Sequence, residues 1–258
     1  MAKVLGIVSG KGGVGKTTLA LNLGLALNNF GRRVVVVDGD LSKPNIAVNL
    51  GLKAKEENTI HRAINEGRRL DEIVYVHNSG LKLIPGDATV IELDKKLHIA
   101  KQLFDEMKSC EVVILDIPSG FGEDVNMSIK ACDALIVVVT PDAASMQDGL
   151  KTIRLAGQIG VTVLGIVINR SEGTPQELTS DDVGKVTGKP VLVVIPEDKA
   201  MVNAQRFNQP LVHLIPDSPA TTSFKKLAAT LLGEKYAETL KKEDEHSALK
   251  ALLKKLGF

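Results

Sequence analysis

Several short stretches of this chain are apolar at nearly every position, and they constrain the fold more than any other feature. They are Val4-Leu5-Gly6-Ile7-Val8, Val34 to Val37, Val112 to Leu115, Leu135 to Val139, Val161 to Ile168 and Val191 to Ile195. A strand with one wet face alternates apolar and polar residues. A strand apolar at consecutive positions needs cover on both faces, the situation of a parallel sheet between helical layers. Longer stretches with helical spacing separate the runs: Thr18 to Asn29 (Leu19, Leu23, Ala26 and Leu27 on one face), Thr89 to Met107, Ala143 to Gln158 and Thr221 to Lys241. Val74-Tyr75-Val76 and Leu81 to Ile84, either side of Asn78-Ser79-Gly80, predict a small hairpin. The alternation predicts an α/β fold, a doubly wound, mostly parallel sheet flanked by helices, with ligands at the carboxyl ends of the strands. The 258 residues suit one large domain, drawn here as residues 1–240, followed by a charged tether and tail over 241–258.

The first apolar run leads into Gly10-Lys11-Gly12-Gly13-Val14-Gly15-Lys16-Thr17, and a helical stretch follows at once. Strand, glycine-rich loop and helix in that order form the setting of a phosphate-binding loop. The glycines let successive N–H groups turn toward one anion, and the following helix adds its N-terminal dipole. Lys16 supplies a point charge for the β- and γ-phosphates, and the Thr17 hydroxyl is placed for Mg²⁺. Thr18 continues the nucleotide-binding segment.

Other chemistry-bearing residues end the remaining runs. Asp38 and Asp40 close the second. Asp116 closes the run at 112–115 in Asp116-Ile117-Pro118-Ser119-Gly120, where a Walker B aspartate stands and can bind Mg²⁺ through water. Asn169 and Arg170 follow Ile168. The Asn169 amide offers both donor and acceptor, which suits the adenine edge.

A loop of this form needs one lysine for its own nucleotide, and here Lys11 is a second. In this the sequence resembles the MinD/ParA family of deviant Walker A ATPases, which are phosphate-loop NTPases of the SIMIBI type. The resemblance runs from Lys3 to Phe258 and is closest to the MinD branch. It implies an Mg²⁺-dependent ATP hydrolase whose homodimer, formed with ATP, sandwiches the nucleotides, with Lys11 reaching the partner's ATP much as an arginine finger does. It further implies that Asp40 holds the Mg²⁺ water shell or the attacking water. Asp148 is expected near the dimer interface, supporting the catalytic geometry. Pro196-Glu197-Asp198 is expected to be the second base-binding segment. The family pattern Asp-x-Pro-Ala-Gly is met except at Ser119.

The last residues carry Leu249, Leu252, Leu253 and Leu256 at helical spacing, with Lys250 and Lys254 off that stripe and no acid between 247 and 258. A short helix with an apolar stripe and a cationic face lies flat on an anionic bilayer, and this one resembles the membrane-targeting tail of MinD proteins. Each fully buried Leu contributes roughly 1.5–3 kcal/mol and each Lys about 1 kcal/mol near anionic lipid, while ordering entropy removes much of it. One tail therefore binds weakly, and two on one dimer gain on the order of 10²–10⁴ in avidity. The expectation is a cytoplasmic protein, peripheral on the inner face of the cell membrane, that positions cell division or another machine and answers to a protein activator or cargo.

Composition weighs the alternatives. The formal net charge of +1 argues against a DNA-positioning ParA-like ATPase, whose phosphate contacts need a basic excess. Two isolated cysteines, Cys110 and Cys132, argue against an iron–sulfur carrier and suit a reducing compartment. The absence of Trp, with 3% aromatic residues, argues against base-stacking surfaces.

Overall fold

The computed structural model describes residues 2–53, 55–89, 98–234, 236 and 257. Eight strands form one sheet: β1 Lys3–Val8, β2 Val34–Asp38, β3 Tyr75–Val76, β4 Lys82–Ile84, β5 Val112–Asp116, β6 Ala134–Val139, β7 Thr162–Ser171 and β8 Val191–Pro196. Their order is β3-β4-β2-β5-β1-β6-β7-β8. Every neighbouring pair is parallel except the β3–β4 hairpin at one edge. The chain starts in the interior at β1, winds outward through β2 to the β3–β4 edge, returns to place β5 between β2 and β1, then crosses β1 to build β6, β7 and β8. Strand order therefore reverses beside β1, and a doubly wound sheet opens its ligand crevice at such a point.

The unbroken runs conceal a period of two. Val34 and Val36 join the core on one side of the sheet, and Val35 and Val37 the core on the other. Leu5 and Ile7 oppose Val4 and Val8 in the same way. Among the described residues seven α-helices connect the strands, α1 Lys16–Asn29, α2 Ile46–Asn49, α3 Ile60–Glu66, α4 Gln102–Asp105, α5 Glu123–Lys130, α6 Ala143–Ile159 and α7 Ser180–Thr187, and three follow β8, α8 Ala200–Arg206, α9 Leu211–Leu214 and α10 Pro219–Leu231. α1 is buried from Leu19 through Leu27 because it lies between the sheet and α9 and α10, so its apolar character extends beyond one stripe.

Two helical expectations change. The stretch from Thr221 ends at Leu231, ten residues before Lys241. Gly233 takes φ 69°, and the Glu234 and Gly233 N–H groups donate to the Ala229 and Thr230 carbonyls, a Schellman stop. Of Thr89 to Met107 only Gln102–Asp105 is helical among the described residues, anchored by buried Phe104. Short amphipathic helices such as α5 and α7 offer too few apolar residues to show a period in the sequence; Val183 is the one buried side chain of α7. The predicted tail at 247–258, apart from Gly257, and its tether at 241–246 lie outside the described residues, as does the boundary drawn at residue 240. Among the described residues no helix is long and apolar enough to cross a membrane.

Candidate functional site

The site forms where β1, β2, β5 and β7 end on one edge of the sheet. Residues 10–17 join β1 to α1. Gly15 caps that helix at φ 98°, a left-handed conformation, and no side chain bonds the first-turn N–H groups. They remain available to an anion. A side chain at Gly15 would collide with Asn169 Nδ2, and one at Gly10 would press on Phe121 and on the backbone of Asp148. Gly10 and Gly15 thus fit only as glycine, packed against the loop after β5, helix α6 and the end of β7. Val14 is 2% exposed, packed into the core beneath the loop.

Two adjoining cavities share Gly15, Thr18 and Arg170. The first, about 260 Å³, is lined by Gly13, Gly15, Lys16, Thr17, Thr18, Asp40, Asn45, Asn49, Asp116, Ile117, Ser119 and Arg170. The second, about 180 Å³, is bounded by Asn169, Ile195, Pro196, Glu197, Asp198, Met201, Gln205 and Phe224 among others. One is polar and beside the helix N-terminus. The other mixes apolar walls with polar rims, the make-up of a base pocket. A larger cavity, about 550 Å³, lies at the opposite end of the strands around Lys3, Cys110 and Val112, with Gly257 in its lining. None of the sequence-selected site residues reaches it.

Carboxylates dominate the electrostatics. Asp38 and Asp116 end adjacent strands in register. Both are buried, and one oxygen of each, Oδ1, has no hydrogen-bond partner. The other Asp116 oxygen accepts from the Thr17 hydroxyl at 2.5 Å. The second Asp38 oxygen accepts from the N–H groups of Asn45 and Ile46 at 3.0 Å. Burial pushes the Asp38 carboxyl up to about 8, and the neighbouring Asp116 adds to it, against the two N–H donors. Burial likewise raises Asp116 to about 6, opposed by Thr17 and Lys16. The Lys16 ammonium is lowered by burial, while Asp116 and Asp40 work to keep it charged. Two buried carboxylates with orphaned oxygens are a costly arrangement in an otherwise satisfied core. A cation resolves it. The donor set of Thr17 hydroxyl and carboxylates suits Mg²⁺, which keeps most of its waters and takes few protein ligands.

The remaining predicted residues divide. Asp40 lines the first cavity, its Oδ1 accepting from the Ser42 hydroxyl and Lys43 N–H at 2.9 Å. Asn169 borders the second, but its Nδ2 donates to the Val14 carbonyl at 2.7 Å, so part of its bonding capacity holds the loop in place. Asp198 also lines it, with both oxygens engaged by the Ala200 and Ala220 N–H groups at 2.9 and 3.2 Å. Arg170 sits at φ 60°, a strained position for a residue with a side chain, between the two cavities. Lys11 and Asp148 line neither cavity. Lys11 Nζ is 3.7 Å from Asp142 Oδ1, and Asp148 lies against Gly10 with its carboxylate 3.1 Å from Lys151 Nζ. Sequence reasoning assigned no role to Asp38, Asn45, Asn49 or Phe224. Only Asp38, a second acid two residues from Asp40 at a strand end, left a local signal.

The comparisons with known proteins agree with this geometry. Residues 1–232 match the family model ParA, described as NUBPL iron-transfer P-loop NTPase. Cys110 and Cys132 are both buried at the opposite end of the strands from the phosphate loop. An uncharacterised ATP-binding protein of Methanocaldococcus jannaschii is 34% identical over 95% of this chain and 93% of its own length. The septum site-determining protein MinD of Bacillus subtilis is 26% identical over 91% of this chain and 90% of its own. Among solved structures, MinD of Pyrococcus horikoshii complexed with Mg-ADP superposes with a TM-score of 0.80 at 29% identity, covering 88% of this chain and 95% of that one. This chain is a member of the MinD/ParA family of ATP-binding P-loop ATPases.

Proposed function

We propose that the protein is a MinD-like switch: it dimerises on binding ATP, attaches reversibly to an anionic membrane through residues 247–258, and leaves when ATP is hydrolysed. The observation that carries this reading is the position of Lys11. It belongs to the phosphate loop yet lines neither nucleotide cavity, and its ammonium rests on Asp142 at the protein surface. A loop lysine that does not serve its own nucleotide is explained by a nucleotide on a second copy. Residues 10–18 with Lys16 then cradle the triphosphate. Thr17, Asp40 and Asp116 hold the Mg²⁺ shell, with Asp38 behind them. Asn169, Arg170 and Pro196-Glu197-Asp198 surround the base. Asp40 orients the attacking water, and Asp148 supports the loop at Gly10. Mg²⁺ held there would supply positive charge to offset that of the phosphates. The nucleotide in the P. horikoshii MinD structure supports ADP and Mg²⁺ as ligands here.

Co-sedimentation with vesicles of anionic phospholipid, run with ATP and with ADP, tests the reading. The full chain is expected to pellet with ATP and stay in the supernatant with ADP, and deletion of residues 247–258 should end pelleting. Equal pelleting with both nucleotides, or pelleting without the tail, rejects the switch. Salt-sensitive retention on duplex DNA with ATP, without vesicle binding, supports the ParA-like alternative instead.

A further inference from the structure

We infer that His61 is a positioning residue for the Asp40 loop, an inference that rests on the reading of Asp40 given above. His61 lies on α3, away from both nucleotide cavities, and is 5% exposed. Its ring stands between two loops. Nε2 is 2.8 Å from the carbonyl oxygen of Leu41, the residue after Asp40, and Nδ1 is 3.0 Å from the backbone nitrogen of Asp87.

The partners settle the proton. A carbonyl only accepts, so Nε2 carries hydrogen and donates to Leu41. The Asp87 N–H only donates, so Nδ1 is bare and accepts. One neutral tautomer satisfies both contacts, and no charge is needed. The surroundings make the clasp tight. Leu41 and Ile60 are buried together in the core on this side of the sheet. A side chain at Gly86 would collide with Pro44 and press on the His61 ring, so the loop after β4 packs directly on the Asp40 loop. The Ile60 N–H donates to the Pro85 carbonyl at 2.9 Å and keeps α3 in register with that loop.

Leu41 and Pro44 also pack against this side of the fold, but among the described residues the other hydrogen bonds that tie the backbone of Gly39 to Ile46 to neighbouring strand ends lie at its two ends: Gly39 N–H donates to the Asp116 carbonyl, and the Asn45 and Ile46 N–H groups donate to Asp38. Asp40 lies between these anchors, and its own carboxylate bonds are to Ser42 and Lys43 of the same loop, which travel with it. His61 is the side-chain anchor in the middle. It sets how far Asp40 projects into the phosphate cavity without touching nucleotide.

Two substitutions separate the arms of the ring. His61→Gln places an amide nitrogen near Nε2 and keeps the donor to Leu41. His61→Asn keeps a polar atom near Nδ1 for Asp87 and loses the Leu41 contact. If His61 positions Asp40, His61→Asn lowers kcat on the order of 10-fold to 100-fold, with KM for Mg-ATP within about twofold, and His61→Gln restores most of the turnover. Equal turnover in the two variants, or a parallel fall of kcat, nucleotide affinity and melting temperature, overturns the inference. Should His61→Asn not fold, His61→Phe keeps the packing and removes both bonds, and native turnover in that variant overturns the inference as well. Asp40→Ala run alongside separates the two readings. Native turnover in Asp40→Ala rejects the role of Asp40 itself; an inactive Asp40→Ala beside fully active His61→Asn and His61→Phe rejects only the clasp.

Discussion

Asp116→Asn should make the nucleotide-free protein more stable and useless as an ATPase. The substitution keeps an oxygen to accept the Thr17 hydroxyl, which Asp116 now receives at 2.5 Å, and removes the charge of a buried carboxyl. The folded carboxyl titrates at about 6 against an ordinary value of 3.8. The folded state therefore holds its proton more tightly than the unfolded chain, and stability falls as pH rises from about 4 to about 6. At 1.36 kcal/mol per unit, the ionised Asp116 costs the apo fold about 3 kcal/mol above pH 6, and nothing below pH 4. For a chain of this size that is roughly 6–12 °C in melting temperature. Asp38, pushed to about 8 with Asp116 as its second cause, should ionise more readily once that neighbour is neutral. The assay is thermal or urea unfolding of the wild type and Asp116→Asn from pH 4 to 8, with no nucleotide, with ADP, and with ADP plus Mg²⁺. The two proteins should coincide near pH 4 and diverge to the full difference by pH 7. Mg²⁺ added to ADP should stabilise the wild type further, by about 2.7 kcal/mol at a hundredfold excess over its Kd, and leave the variant unmoved. A variant less stable than wild type at pH 7.5, or one that keeps the full Mg²⁺ increment, refutes the carboxylate pair as a cation site.

Two further outcomes follow from the loop. Lys11→Ala should leave nucleotide binding within a few-fold of wild type while lowering hydrolysis by 10³ or more, the scale of charge supplied in trans; normal turnover in a phosphate-release assay removes that role. Asn169→Ala leaves the buried Val14 carbonyl without its donor, a loss of about 1–3 kcal/mol, and should weaken ADP and ATP binding about equally in calorimetry. A change confined to ATP would place Asn169 at the γ-phosphate instead.

The sheet was legible because burial on both faces leaves no room for polar residues, so β1, β2, β5 and β6 stand out as unbroken runs. Short helices were not, since Val183 is the single buried side chain of α7. The stop of α10 at Leu231 depends on Gly233, in a Leu-Leu-Gly-Glu stretch that continues the helical spacing on paper. The phosphate loop and the acids at strand ends could be read because their function fixes their spacing. Asn45, Asn49, Phe224 and His61 could not. They reach the site, or the loop that serves it, only through tertiary packing, and nothing in their own neighbourhoods marks them.

On the proposed reading, the two loop lysines carry two duties within one short motif. Lys16 lines the cavity, is lowered by its burial, and faces Asp116 and Asp40; its place is set by the core. Lys11 is half exposed and pairs at 3.7 Å with an equally exposed Asp142. Such a surface pair contributes about 0–1 kcal/mol, so leaving it costs little. Asp142 keeps its other work, accepting from the Ser145 N–H at the start of α6 and from the Thr140 hydroxyl, whether or not Lys11 is present. A lysine meant for its own nucleotide gains from being held. One meant for a partner's nucleotide must be held loosely enough to be surrendered, and a surface ion pair beside the phosphate loop meets that requirement where a buried one would not.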